Sequence, residues 1–369
     1  MLVLKLMNEN ENWRDILSAD PYNIIIKEDG EYVLLKYSQL NSDFANPIVR
    51  ECRGPIFRQE NGKWICVCRA FDKFGNYGEG YVPTIEWESA RVLEKIDGSL
   101  MKLWCDKGMW RLSTNGNIDA FDAPLGDFNI TFGDYFIECL GCDFESFTMT
   151  LNQNYCYMFE MIGPKNRVII GYDSPKLYGL GQRNMKTMEE EEYSAHWGKW
   201  SNIWLPQRFA LYNLDEVVKI AETLTRDEEG FVVNDRFFHR VKIKSPEYLM
   251  AARLHNNGII TKKRIVEMIL NERVDDFLAY CPWYTKEVTK VKNNVLALCL
   301  DILDEGRGLN YSLDKKAFAD SIKDKKYKHF FFAKYKNSEL TPIDWMKTLW
   351  MDNLMEKLEE VEMEDKYAC

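Results

Sequence analysis

Lys95-Ile96-Asp97-Gly98-Ser99 closes a strand-like run, Arg91-Val-Leu-Glu94, with a lysine and a carboxylate two residues apart. A lysine attacks phosphorus only after its amine has lost a proton, and nearby cations or a metal ease that loss. Two further lysines recur far downstream in Val241-Lys242-Ile243-Lys244. A period of two puts both on one strand face, which is costly unless they meet water or anions, phosphate oxygens being the natural choice. Three lysines converging with carboxylates would handle a nucleoside triphosphate. Glu160, inside the apolar Phe159-Glu160-Met161, needs a partner that a ribose hydroxyl or metal-bound water would supply. Glu229, in Glu228-Glu229-Gly230-Phe231-Val232-Val233, stands at the mouth of a buried strand. Arg50-Glu-Cys-Arg53-Gly and Arg69-Ala-Phe-Asp-Lys73-Phe add cations.

Each piece alone also has a bland reading. Lys95-Ile-Asp-Gly98 reads equally as an exposed turn, and Glu160 as a strand-end glutamate satisfied by its neighbours. In the functional reading, Gly98 lets the backbone approach a ligand. The histidines, His196, His239, His255 and His329, show neither ligand nor triad spacing. In-line displacement at phosphorus needs positioning and positive charge more than acid–base groups, so it suits these residues.

The elements that must position them are mixed α and β. Ile24–Ile26 and Val33–Leu35 flank the Asp-Gly turn of a hairpin. Trp64–Cys68, Leu100–Cys105 and Trp110–Ser113 alternate as strands, and Tyr155–Met161, Val168–Ile170, Phe231–Asn234 and Val241–Ile243 form a second set. Lys95 then falls at a tight strand-to-strand turn, and the spacing predicts a helix over Asp215–Arg226. Beyond Pro246 the pattern turns helical. Val288, Val291, Val295, Leu298 and Ile302 make an amphipathic stripe, and Thr341-Pro342 opens a helix through Ile343–Glu360. We expect an α+β chain, with antiparallel sheets and flanking helices over residues 1–248 and an all-helical domain over 249–369. The boundary is expected near 246–252.

At 369 residues, two cores are expected, and 46% hydrophobic with 14% aromatic residues exclude a disordered chain. The net charge of −10 argues against indiscriminate coating of nucleic acid but leaves room for a local basic groove. Met1–Met7 is too short for a secretory core, and the longest apolar run, Val295–Leu300, is too short to span a bilayer. A cytoplasmic protein with its ten cysteines reduced is the expectation. Cys139-Leu-Gly-Cys142 has zinc-knuckle spacing without a second pair to complete it. The acidic runs Glu189–Glu192 and Glu356–Asp365 read as solvated faces.

The ordered set Glu51-Cys-Arg-Gly-Pro-Ile-Phe57, Lys95-Ile-Asp-Gly-Ser-Leu100, Phe159-Glu160 with Asn166-Arg-Val-Ile169, Glu229-Gly-Phe-Val232 and Val241-Lys-Ile-Lys244 resembles the covalent nucleotidyltransferases. Ser99-Leu100 and the Lys244-Ser-Pro that follows the last lysine pair make it most similar to the bacteriophage RNA ligase 1 family. The resemblance spans about residues 30–250 and implies an N-terminal adenylyltransferase domain. By it, Lys95 forms a phosphoramidate with AMP from ATP. Asp97 and Glu160 hold the ribose or orient the lysine, Glu229 binds Mg2+ directly or through water, and Lys242 and Lys244 grip the α-phosphate. Arg53 and Lys73 match phosphate-contacting cations. Leu180 and Val232 would sandwich the adenine, and Tyr248 would meet the nucleotide. Asp276 is a candidate metal carboxylate, against a solvated helix face.

The implied partner is RNA with 5′-phosphate and 3′-hydroxyl ends, including nicked tRNA, acted on in RNA repair by a phage or other viral monomer in the host cytoplasm. Lys323, Lys325, Lys326, Lys328, Lys334 and Lys336 cluster with Tyr327, Phe330, Phe331, Phe332 and Tyr335. They suit a phosphate backbone with splayed bases, or equally a helix whose aromatics pack inward. Within this reading the helical region selects the RNA. The rivals are a capping guanylyltransferase, a nick-sealing polynucleotide ligase, and an inactive module that grips RNA ends.

Overall fold

The computed structural model describes residues 1–38, 41–126, 128–192, 203–225, 227–248, 262–280 and 284–367, without the side chains of 276, 279, 280, 352 and 361–367. The chain divides into two compact units, Met1–Asn257 and Gly258–Cys369. Among the described residues, the strands of the first unit form three sheets.

The first sheet is an antiparallel meander of β1 (Ile24–Asp29), β2 (Tyr32–Tyr37), β3 (Arg53–Glu60) and β4 (Lys63–Cys68). Alternation along β2 serves two cores. Val33, Leu35 and Tyr37 pack with Val3, Met7, Trp13 and Leu17 of α1 (Leu2–Glu9) and α2 (Trp13–Ser18). Tyr32 and Leu34 point the other way, to Trp104 and Cys156. Glu51 ends α3 (Pro47–Glu51) and accepts from the amides of Leu2 and Val3 at 3.0 and 2.8 Å. A carboxylate at a helix N-terminus satisfies donors that the helix itself cannot, and here it ties α1 to the segment before Arg53.

The second sheet runs β10 (Glu190–Glu191), β9 (Lys176–Asn184), β8 (Tyr155–Ile162), β6 (Ser99–Asp106), β7 (Met109–Thr114), with β11 (Ile203–Trp204) parallel to β9. Met101, Leu103, Phe159 and Met161 pack against Tyr135 and Phe136 of α4 (Phe132–Leu140) and Phe147 of α5 (Phe144–Thr148). The third sheet is β12 (Arg208–Phe209), β5 (Arg91–Glu94), β13 (Gly230–Asn234), β14 (Arg240–Lys244), backed by Val217 and Ala221 of α6 (Leu214–Ala221).

Three sequence expectations change. Lys95 lies between two strands, but the turn does not pair them, because β5 belongs to the third sheet and β6 to the second, so Lys95–Gly98 is the crossing between sheets. Residues 168–170 are not a strand. The amides of Ile169 and Ile170 go to the Asp97 carboxylate, not to a neighbouring strand. The acidic run at 189–192 is not simply a solvated face. The Glu190 side chain, 5% exposed, pairs with Arg183 and Arg240, and Glu191 accepts from Tyr155 and Gln182.

In the second unit the described elements are helices: α7 (Lys262–Leu270), α8 (Val274–Tyr280), α9 (Thr285–Glu305), α10 (Lys315–Ile322), α11 (Lys328–Lys336), α12 (Pro342–Lys347) and α13 (Met351–Tyr367). The α9 stripe Val288, Val291, Val295, Leu298 and Ile302 is buried. The helix expected to run through Ile343–Glu360 breaks between Lys347 and Met351. There Thr348 donates both its amide and its hydroxyl to the Trp345 carbonyl, a local competition that bends helices. Of the lysine-rich cluster's aromatics, Tyr327, Phe330 and Phe331 pack inward, while Phe332 lines a cavity of about 590 Å³ with Lys328 and Lys336. No helix among the described residues is long and apolar enough to cross a membrane.

Candidate active site

The site is organised around one carboxylate. Gly230 begins β13 at φ +135°, and a Cβ there would stand 2.2 Å from the Ile243 carbonyl oxygen. Glycine therefore lets β13 start flush against β14, in the register that pairs Gly230 with Lys244. Glu229, one residue earlier and 3% exposed, thus reaches Lys244 Nζ through Oε1 at 2.8 Å. Its Oε2 meets Lys95 Nζ at 2.7 Å. The backbone locks the same geometry, since the Lys95 amide donates to the Gly230 carbonyl and the Ser245 amide to that of Glu229, both at 2.9 Å. Burial opposes ionisation of Glu229, but Lys244 and Lys95 outweigh it and hold the carboxyl below the usual carboxylate range. Two cations on one buried anion leave the Lys95 amine, 18% exposed, oriented and reachable.

The crossing that carries Lys95 is pinned from the other side. Asp97 is buried, with Oδ2 accepting from the amides of Ile169 and Ile170 at 2.8 Å and Oδ1 from the Tyr248 hydroxyl at 3.1 Å. Tyr172 OH accepts from the Asp97 amide at 3.4 Å. Gly98 has a packing role, because a Cβ would lie 2.4 Å from the Met161 carbonyl oxygen, and the Gly98 amide donates to Glu160 Oε1 at 3.2 Å. Ser99 donates to Asn166 Oδ1 at 3.0 Å, and Asn166 in turn donates to the Met161 carbonyl.

Burial pushes the Glu160 carboxyl up to about 7, against the pull of Lys95. An unfolded glutamate titrates near 4.3, so the folded state holds the extra proton between those values. The stability from this group is complete below about pH 4.3 and is lost as pH rises through about 7. Glu160→Gln removes that titration. Its Tm relative to the parent should climb by several degrees between pH 5 and pH 8, for a term on the order of 3 kcal/mol. A difference flat over that range in thermal melts would mean that Glu160 is ionised in the folded state throughout.

Farther out, the Phe74 ring carries the Arg53 guanidinium at 5.5 Å and the Lys242 ammonium at 5.6 Å. Arg53 Nη1 is buried without a hydrogen-bond partner among the described residues. Lys73 is buried with its ammonium 3.9 Å from the Phe44 ring centre. Leu180 is partly buried beside Leu100 and Met158, and Val232 faces Lys242 across the third sheet. Tyr248 is buried, its hydroxyl on Asp97 and its ring 5.4 Å from Lys244 Nζ. Its visible role is to position those two groups.

Thus Lys95, Lys244, Glu229, Glu160, Asp97 and Tyr248 lie together, Lys242 and Arg53 adjoin them through Phe74, and Lys73 stands in its aromatic cage. Asp276 falls in α8 with its side chain undescribed, and His196 and His255 lie outside the described residues. Phe74 and Tyr172 were missed. Phe74 directly follows Lys73, and an aromatic beside a candidate phosphate cation was the available signal. Tyr172 offered none. The described residues contain no cluster of three or more acidic, histidine or cysteine side chains arranged for a metal. Glu160 and Glu229 fit the sparse protein ligation of Mg2+, which keeps several waters and leans on substrate phosphates. With ammonium groups on both oxygens, Glu229 fits contact through water better than direct contact.

The RNA ligase family matches residues 51–248, the stretch that contains every one of these groups. An RNA ligase of Rhodothermus phage RM378 is 26% identical over 389 residues, covering 86% of this chain and 87% of that one. A putative bifunctional polynucleotide kinase/RNA ligase of Autographa californica nuclear polyhedrosis virus is 31% identical over 74% of this chain, which spans only 41% of that protein. A solved archaeal ATP-dependent RNA ligase overlays with a TM-score of 0.46 at 14% identity, covering 81% of this chain and 82% of its own, a likeness too loose to carry an argument. The family match extends over more than half of the chain, and its ordered motifs are folded around a single lysine. On that ground the chain belongs to the RNA ligase family, in its bacteriophage RNA ligase 1 branch.

Proposed function

We propose that this chain is an ATP-dependent RNA ligase that joins 5′-phosphate and 3′-hydroxyl ends through a lysyl-AMP intermediate. The observation that carries the reading is the buried Glu229 holding Lys95 and Lys244 at 2.7 and 2.8 Å. One amine is presented to the cleft while a second cation stands beside it. Lys95 Nζ, once unprotonated, attacks the α-phosphorus, the N–P bond forms, and the α–β anhydride breaks to release pyrophosphate. An oxygen of the RNA 5′-phosphate then displaces the lysine, which regains a proton. The 3′-hydroxyl finally attacks that phosphate, loses its proton and expels AMP.

Lys244 and Lys242 offset charge developing on phosphorus, and Arg53, whose buried Nη1 lacks an acceptor among the described residues, suits a phosphate oxygen. Leu180 and Val232 would flank the adenine, and Gly98 and Lys73 would complete the nucleotide side. Magnesium brought in on the triphosphate would neutralise its oxygens, and Glu160 would hold it, with Glu229 reached through water. The helical C-terminal region would select the RNA, a broken tRNA loop fitting a repair role in the cytoplasm of a viral host, with the enzyme acting as a monomer.

Intact mass after incubation with Mg2+ and ATP, without RNA, tests the first step. One acid-labile AMP adduct, followed by joining of 5′-phosphorylated single-stranded RNA, is the expected result. A GMP adduct formed from GTP in its place would make the chain a capping enzyme. Activity on nicked duplex alone would make it a nick sealer, and no adduct from either nucleotide would leave a binding module.

A further inference from the structure

A cleft of about 700 Å³ in the first unit opens beside Lys73 and Phe74, lined by Arg50, Tyr81, Arg236 and Phe237 among others. Its basic side chains outnumber its acidic ones. Glu190, the most deeply placed acid, is occupied by Arg183 and Arg240, whereas Arg50 is held by the carbonyls of Phe44 and Ala45. The cleft meets β14 at Arg240, and Phe74, which lines it, carries the Lys242 ammonium 5.6 Å from its ring centre. By strand alternation Lys244, Lys242 and Arg240 share one face, opposite the core residues Val241 and Ile243. At about 3.4 Å per residue, this row spans roughly 14 Å from Lys244, paired with Glu229, to Arg240, paired with Glu190, with half-buried Lys242 between them.

The mouth of the cleft is a built feature. Asp235, fully buried, accepts from the amides of Glu86, Phe237 and His239 at 3.1, 2.9 and 3.0 Å, and pairs with His239 Nδ1 at 3.0 Å. These bonds hold Phe238 at φ +60°, a conformation disfavoured for a bulky residue. Such strain persists only where surrounding structure imposes it. The outcome is an exposed aromatic at fixed height. Phe237 is 60% exposed, its ring 5.8 Å from that of His239 and 4.9 Å from the Arg236 guanidinium. A rigid, wet phenyl ring flanked by arginine at the end of a row of cations is the combination that stacks a base of single-stranded nucleic acid.

We propose that the β13–β14 loop is a stacking platform for the 5′-phosphorylated RNA strand. The terminal phosphate lies at Lys244, the following backbone passes Lys242, and a base a few nucleotides in stacks on Phe237. This rests on the ligase reading above, and it assigns to Phe237 a function in holding RNA that the transfer of AMP to Lys95 does not need. The platform favours donors longer than the one or two nucleotides that the chemistry itself requires.

The test is fluorescence anisotropy of the full chain with a 5′-phosphorylated, 3′-blocked oligoribonucleotide of about ten nucleotides. Competition by a nucleoside 3′,5′-bisphosphate serves as the short donor. Phe237→Ala and Phe237→Leu should each weaken the oligonucleotide about tenfold or more, as loss of one stacked base does. Both should leave the bisphosphate unchanged, and Phe237→Trp should restore binding. Unchanged oligonucleotide affinity in Phe237→Ala, or full binding by Phe237→Leu, overturns the platform. An equal loss for 5′-hydroxyl RNA overturns the strand assignment in favour of the 3′-hydroxyl partner. Adenylylation of the parent chain by ATP is read alongside, so a failed platform is not confused with a failed ligase reading.

Discussion

Lys95→Ala should take up no AMP and should lose ATP-dependent joining by at least about 10⁴-fold, the scale on which removing a covalent nucleophile acts. Given RNA that already carries AMP on its 5′-phosphate, the same variant should still seal, within about an order of magnitude of the parent. The asymmetry follows from where the lysine acts. Its amine forms and breaks the N–P bond, but the last displacement joins the 3′-hydroxyl to phosphorus and expels AMP from RNA. Charge at that phosphorus is met by Lys244 and Lys242, which the substitution leaves in place. The fold should also survive, because Lys95 is 18% exposed and Glu229 keeps its 2.8 Å contact with Lys244. Lys95→Arg is the sharper control. It restores a cation beside Glu229 but is never deprotonated, so it should melt closer to the parent and remain as inert toward ATP. Intact mass reads the first step, and gel-resolved sealing of pre-adenylylated RNA reads the last. An adduct persisting on Lys95→Ala would move the nucleophile elsewhere, with Lys242 or Lys244 the nearest candidates.

What the sequence could and could not reveal divides along a physical line. Alternation shows which residues share a strand face, so Lys242 and Lys244 could be placed together on one side of β14, opposite Val241 and Ile243. The Asp-Gly turn between β1 and β2 was equally legible, since the turn's chemistry is local. Which sheet a strand joins is not local. Nothing in Arg91–Leu100 says that β5 and β6 part company, yet that parting makes Lys95 a crossing between sheets. The partners of Asp97 lie 72, 73 and 151 residues away, at Ile169, Ile170 and Tyr248. Because those amides go to a carboxylate, Val168–Ile170 looked like a strand by composition and is a loop in fact. Glu229 was recognised as a carboxylate at a strand mouth. That it joins two lysines depends on the flush start of β13 at Gly230, a consequence of pairing that no periodicity encodes.

That junction carries the largest expected stability effect. Glu229→Gln preserves shape and removes one charge, leaving Lys244 buried and Lys95 mostly covered without their anion. Removing one partner of a buried ion pair costs about 3–5 kcal/mol, chiefly because the remaining charge cannot reach water. Lys244 is 5% exposed and meets that condition. Glu229→Gln should therefore melt many degrees lower at neutral pH and lose adenylylation, since the nucleophile is no longer oriented. The sign with pH is fixed by the carboxyl being held low in the folded state. Its stabilisation is present above about pH 4.3 and is lost as pH falls through the lower folded value, so the two proteins should converge in acid. Adding Lys244→Met removes the stranded cation, and the double variant should recover much of the lost Tm without recovering activity, the non-additivity of a directly coupled pair. Thermal melts across pH, combined with adduct formation on all three variants, measure both halves. If the loss in Glu229→Gln were independent of pH and unrelieved by Lys244→Met, packing and not charge would hold this junction together.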